Sequence, residues 1–224
     1  MENNKSLNKT NMGKKVWKVI AYFVCVVLGL FVLTIASFNI VYVRTLVYGK
    51  SMQPLYNSNV TSDSDAGDTV LVNRFAKGKV GDVVVADVDW GIGGATVTVI
   101  KRIVAVGGDR LRFENVGGNV VLYKNEAIYT ESYINSTQNK EYENWQTLVR
   151  DKQDEYEFDE HGCLIVPTGE VMLFGDNREH SDDSSLFGSV SRKKIVGRVD
   201  YCIGRKDSAK GRFLELIYHL LIIK

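Results

Sequence analysis

Proline is nearly missing from this chain of 224 residues: there are two, against 20 glycines. That excludes a proline-rich linker or a collagen-like repeat and leaves the turns to Gly, Asn and Asp. Cysteine is scarce as well. The three present, Cys25, Cys163 and Cys202, form an odd set. Cys25 sits inside an apolar run, and the other two read as free thiols in a folded interior rather than as a pair. No CxxC or Cys/His grouping has metal-ligand spacing, so neither a metal nor any other cofactor is expected. Charge of one sign is not in excess either: 28 Lys and Arg face 27 Asp and Glu, for a net charge of +1. Without a basic surplus to neutralise phosphates, no nucleic-acid partner is expected.

The chain does have one long apolar run. No charged residue occurs from Val19 through Val43, roughly 25 residues that reach ~37 Å as a helix, enough to cross a hydrocarbon core of ~30 Å with some tilt. Lys5, Lys9, Lys14, Lys15 and Lys18 precede it with only Glu2 opposing, whereas Arg44 and Lys50 are the nearest cations after it. The positive-inside rule then puts residues 1–18 in the cytoplasm, makes 19–43 a transmembrane anchor and places the chain from Arg44 onward outside. A cleaved secretory signal has an apolar region of only ~7–15 residues, and Ala36-Ser-Phe38 lacks the small-x-small closure such a signal needs. A second apolar stretch, Leu214 to Ile223 within residues 213–224, is interrupted by Glu215 and His219 and is too short to span. It reads as a segment packed on the folded domain or lying on the membrane surface.

Residues 44–212 read as mainly β. Short β-branched runs, such as Thr69–Val72, Val83–Val88, Thr96–Ile100, Asn119–Tyr123, Cys163–Val166 and Val171–Phe174, recur between glycine breaks at Gly81, Gly91–Gly94, Gly107-Gly108 and Gly117-Gly118. That punctuation predicts an antiparallel sheet or barrel rather than βαβ units. Residues 131–160 depart from it. This polar, acidic stretch reads as a solvated insertion with a short helix around Trp145 to Lys152. Trp90, in a glycine-rich loop, reads either as a lipid contact or as a packed core residue.

A hydroxyl nucleophile at neutral pH needs an adjacent base. Ser51 lies in a tight segment, Gly49-Lys-Ser-Met-Gln-Pro54, just after the apolar run. His180 lies among acids and serines, and a Ser51/His180/Asp triad is conceivable although spacing alone does not support it. Lys101 is the other candidate base. It interrupts an apolar strand beside Arg102, and adjacent side chains on a strand point to opposite faces. If Lys101 faces inward, desolvation lowers its pKa and yields a neutral amine that accepts a proton. If not, the two are surface cations on an edge strand, and on residue physics alone this second reading is preferred.

An ordered set of segments shifts that preference. Gly49-Lys-Ser-Met-Gln-Pro54, Gly81-Asp-Val-Val-Val85, Ile100-Lys-Arg-Ile-Val-Ala-Val-Gly-Gly-Asp109 and Gly175-Asp-Asn-Arg-Glu-His-Ser-Asp-Asp-Ser184 resemble, in sequence order, the boxes of bacterial type I signal peptidases. The resemblance spans residues 49 to 188 behind one anchor. It implies an antiparallel β catalytic domain, with Ser51 as nucleophile and Lys101 as general base. It further implies that the Ser181 hydroxyl orients the lysine, that Ser51 N–H serves the oxyanion hole, and that Asp176, Asn177, Arg178 and Asp183 hold the loop geometry.

Gly49 stands where some relatives supply a hydroxyl donor. Ser185 stands where an arginine commonly pairs with the nearby aspartate, so that ion pair is expected to be missing. The implied partners are signal peptides of exported preproteins and membrane lipid, with the chain acting as a monomer that cuts after small residues. The alternative is a catalytically weak paralogue acting as scaffold or chaperone for pilin-like exported proteins. A self-cleaving Ser/Lys repressor fits worse, because it calls for a DNA-binding N-terminus where this chain has an apolar run.

Overall fold

Val41 ends a helix and Tyr42 begins a strand, and the chain divides there into two units. The structure, a computed structural model, describes residues 3–57, 66–134 and 139–203; the apolar stretch 213–224 lies outside the described residues. Helix α1 (Asn3–Val41) includes a segment, Lys14–Val41, long and apolar enough to cross a membrane. Its apolar side chains from Val16 to Leu33 are exposed, and by length and composition the segment could span a membrane. Polar side chains near its end bond back into the helix: Thr34 Oγ1 donates to Leu30 O and Asn39 Nδ2 to Ile35 O, both at 2.8 Å. A polar side chain bonded back to its own helix loses much of its cost in an apolar medium.

The second unit is built on antiparallel strands. One seven-stranded sheet contains β1 (Tyr42–Tyr48), β2 (Ala66–Asn73), β3 (Val83–Val88), β4 (Val97–Val106), β10 (Glu170–Phe174), β11 (Val190–Ser191) and β12 (Ile195–Cys202), in the order β1-β2-β12-β3-β4-β10-β11. A five-stranded sheet joins β5 (Arg110–Val116), β6 (Asn119–Lys124), β7 (Ala127–Ile128), β8 (Glu157–Phe158) and β9 (Leu164–Ile165), in the order β7-β6-β5-β9-β8. Fold class is therefore as the sequence suggested.

Strand β3 shows why a continuous Val run belongs here. Val83 and Val85 enter one core with Val47, Met52, Tyr56, Val70 and Val72, while Val84, Ala86 and Val88 enter another with Ile103, Val171 and Leu173. Alternate side chains feed opposite faces, and both faces are covered. A third core sets Leu111, Phe113 and Leu122 against Met172 and Phe174 and against Trp145 and Leu148.

Those last two residues lie on helix α2 (Asn139–Asp151), longer than the short helix expected around Trp145. The solvated reading of 131–160 needs correction, since Glu141, Trp145 and Leu148 are all buried. Of the two readings of Trp90, packing is the one observed: its ring stacks on Phe187, in the short helix α3 (Ser184–Phe187), at 5.2 Å between centroids and 17° between planes.

Candidate active site

Lys101 and Arg102 are consecutive on β4, and both are buried, at 5% and 9% exposure. The surface-cation reading is thereby overturned. Arg102 finds its counter-charge across the sheet: Nε and Nη2 donate to Asp176 Oδ1 and Oδ2 at 2.8 and 2.6 Å, Nη1 donates to Gly81 O at 2.6 Å, and the Tyr133 ring covers the guanidinium at 3.9 Å. Lys101 has no such partner. Among the described residues no carboxylate forms an ion pair with its Nζ. Burial pushes its pKa below the ordinary lysine value, opposed by the charges of Asp183, Asp182 and Asp176. The two neighbours thus divide into a fixed cation and an amine biased toward its neutral form.

Lys101 and Ser51 line one cavity of about 590 Å³, together with Arg44 through Tyr48 of β1, Val85, and Thr98 through Ile100 of β4. No hydrogen bond joins Ser51 Oγ to Lys101 Nζ, and none engages either atom among the described residues. Such contacts are often long without substrate and tighten when it binds. The walls of the cavity are strand edges. Strand β1 is outermost in its sheet, and Val97 through Lys101 pair only with β3, because pairing of β4 with β10 begins at Arg102. Strand edges of this kind can take up an extended peptide by strand addition.

The loop after β10 closes over the back of Ser51. Asn177 N–H donates to Ser51 O at 3.0 Å, and Asn177 Nδ2 to Lys50 O at 3.1 Å. At Gly175 a Cβ would collide with Ser181 Oγ and with the Ser51 carbonyl, so glycine is what lets the loop reach the backbone of Ser51. Ser181 is 1% exposed and its Oγ has no hydrogen-bond partner among the described residues. An unsatisfied buried hydroxyl in a folded protein is uncommon and calls for an explanation.

Asp183 Oδ2 accepts from Gly175 N at 2.9 Å, while Oδ1 accepts from Ser185 N and Oγ at 3.0 and 2.8 Å. The hydroxyl and N–H of Ser185 occupy the carboxylate where an arginine was expected to be missing. Gly49 has φ 74°, in the left-handed region, which disfavours any residue there that carries a hydroxyl. Its backbone shape and its lack of a donor go together.

Arg178, in the same loop, is fully buried and bonds Gly175 O through Nε at 3.0 Å, Glu141 through Nη1 at 2.7 Å and Glu131 through Nη2 at 2.5 Å. Tyr133 OH in turn donates to Glu131 at 2.6 Å. Glu131, Tyr133 and Glu141 were missed by sequence reasoning, which took their segment as solvated. Their signal was an isolated buried arginine in need of acids. Asn57 was missed too. His180 is exposed, its Nδ1 lies 3.3 Å from Asn177 Oδ1, and it does not line the cavity that holds Ser51. Among the described residues no group of three or more His, Cys, Asp or Glu side chains is arranged to hold a metal.

A family profile described as signal peptidase, peptidase S26, matches residues 17–203. The chain is similar to a signal peptidase I of Bacillus caldolyticus, 28% identical over 162 residues, covering 72% of this chain and 79% of that protein. It is also similar to signal peptidase IB of Staphylococcus aureus, 29% identical over 102 residues, or 46% of this chain; there it spans about half of the relative's length, 51%. A solved structure of a signal peptidase I from Enterococcus faecalis V583 is 22% identical, covers 54% of this chain and 95% of its own, and gives a TM-score of 0.36.

Proposed function

The chain belongs to the signal peptidase family, peptidase S26, and on that premise we propose that it is a membrane-bound serine endopeptidase removing signal peptides from exported preproteins. The observation that carries the reading is a buried lysine, with no ion-pair partner among the described residues, lining the same cavity as Ser51. Neutral Lys101 takes the proton of Ser51 Oγ as that oxygen attacks the scissile carbonyl. Ser51 N–H faces the developing oxyanion, and the protonated lysine then gives its proton to the leaving amine. A water replaces the amine and loses a proton to the same lysine as it attacks the acyl carbonyl, and the bond to Ser51 Oγ breaks as the lysine returns that proton to the serine oxygen.

Ser181 orients the amine, and Asp176, Asn177, Arg178 and Asp183 hold the loop behind it. The cavity walls, with Val47, Val85 and Ile100 among them, suit small side chains near the cut of a substrate strand. Lysines before the apolar helix favour a cytoplasmic N-terminus and an extracytoplasmic β unit. One copy carries nucleophile and base, in keeping with a monomer.

Detergent-solubilised full-length protein is expected to cut a preprotein bearing an Ala-x-Ala site, leaving a mature product whose sequence starts directly after the second alanine. Ser51→Ala should leave the substrate intact. Failure of folded wild type to cut any of several preproteins would discard the peptidase reading in favour of the scaffold alternative. Ser181→Ala is expected to lower kcat roughly tenfold or more, short of the ~10²–10⁴-fold that a general base contributes, with KM little changed. A KM effect alone in that variant would remove Ser181 from the proton path.

A further inference from the structure

Val47 brings the chain to the nucleophile through a break in the β1–β2 ladder. Leu46 opposes Thr69 while Tyr48 opposes Ala66, so the register shifts at Val47, and carbonyls at such a bulge lose their regular strand partners. The side chain of Asn57 takes the strand's place. Its Nδ2 donates to Val47 O at 3.0 Å and to Gly49 O at 2.9 Å. Its Oδ1 accepts from Asp68 N at 2.6 Å, and its own N–H donates to Asp68 Oδ2 at 2.9 Å. Gln53 Nε2 closes the loop by donating to Asn57 O at 2.6 Å.

Asn57 is 3% exposed and has φ 56°, a left-handed conformation that costs any residue with a side chain, asparagine least. The conformation persists because the surrounding bonds determine it. The turn around Ser51 is consequently gripped from two sides. The carbonyls of Lys50 and Ser51 are held by Asn177, and those of Val47 and Gly49 by Asn57. Since a peptide unit is planar, fixing a carbonyl also fixes the opposed N–H of the next residue. Asn57 therefore sets the Val47–Tyr48 and Gly49–Lys50 peptide planes that lead into the nucleophile.

We propose that Asn57 is a positioning residue for the peptidase reaction, orienting the Tyr48–Ser51 turn from behind the cavity. The proposal rests on the reading of Ser51 as nucleophile. A displacement of about 1 Å at a reacting group can cost ~10²-fold in rate, so a loosened turn should show in kcat.

Asn57→Gly tests it, because glycine accepts φ 56° without strain and spares the fold while deleting the side-chain bonds. The full-length variant, assayed with a preprotein beside wild type and Ser51→Ala, is expected to lose about 10- to 100-fold in kcat with KM within about twofold. The acid limb of its pH–rate profile should stay in place, since Lys101 on β4 is untouched. Asn57→Asp keeps an acceptor for Asp68 N–H but loses both donated bonds, and should be no more active. Wild-type kcat in folded Asn57→Gly overturns the proposal. So does a loss accompanied by a displaced acid limb, which marks a general opening of the cavity around Lys101. Wild type that cuts nothing removes the peptidase reading and this proposal with it, whereas cutting by wild type and by Asn57→Gly alike removes this proposal alone.

Discussion

Lys101→Met is expected to abolish cleavage and at the same time to stabilise the folded chain. Loss of a general base takes away about 10²–10⁴-fold in rate, and nothing else lining the cavity replaces the amine. The gain in stability stems from burial. Lys101 occupies an interior position with no ion-pair partner among the described residues, and burial depresses its pKa below the ordinary lysine value. Between the depressed value and the ordinary one, the unfolded chain binds more protons than the folded chain, so wild-type stability rises with pH across that window. Methionine, similar in length and uncharged, has no such dependence. The difference in melting temperature between variant and wild type should be largest at the lowest pH and shrink as pH rises through the window. Thermal unfolding of the two proteins at a series of pH values checks it. A variant less stable than wild type at every pH would mean that Lys101 contributes to the fold as well as to the chemistry.

Arg178→Ala should be the most destabilising single change in the loop behind Ser51. The arginine side chain is 0% exposed, and its partners Glu131 and Glu141 are 3% and 1% exposed. Removing it leaves two carboxylates in the interior facing no cation, a loss of the order of 3–5 kcal/mol for a broken buried pair. Burial already holds the Glu141 pKa well above the ordinary glutamate value, opposed by Arg178 and reinforced by the charges of Asp183 and Glu131. Without the guanidinium the Glu141 carboxyl should hold its proton to still higher pH in the folded chain. A group with a raised folded pKa stabilises below its unfolded value and loses that contribution as pH rises. The defect in urea unfolding should therefore be smaller near pH 4 than near pH 8, and Glu141→Gln in the Arg178→Ala background should recover part of it. A pH-independent loss would point to the Gly175 O bond and the cavity left by the side chain instead.

How much of this was legible in the sequence depended on how local each feature is. Val83–Val88 announces a covered strand because β-branching and alternation act residue by residue, and Ser51 and Lys101 stood out through the segments around them. Strand β1 was partly hidden, since Tyr42 and Val43 continue the apolar run and were assigned to the anchor rather than to the sheet. Strand β12 was hidden as well. Gly197, Arg198 and Asp200 break its apolar pattern, and Gly197 is needed because a Cβ there would strike Asn73 O on β2.

The facing of Lys101 and Arg102 was undecidable locally, because Asp176 lies 74 residues from Arg102 in the chain. Glu141 on α2 looks solvated until Arg178, 37 residues away in the chain, is packed against it. Asn57 gave no sign at all, as its worth lies in carbonyls that a bulge exposes. Polar residues are read poorly from sequence wherever their partners are set by the fold.

A single-turnover cleavage experiment on one preprotein, with wild type, Ser51→Ala, Lys101→Met and His180→Ala under the same conditions, tests the Ser51–Lys101 pairing most directly. Cleavage by wild type and His180→Ala, with none by Ser51→Ala or Lys101→Met, is the expected result. Cleavage that survives in Lys101→Met and is lost in His180→Ala would contradict it and move the base to the histidine.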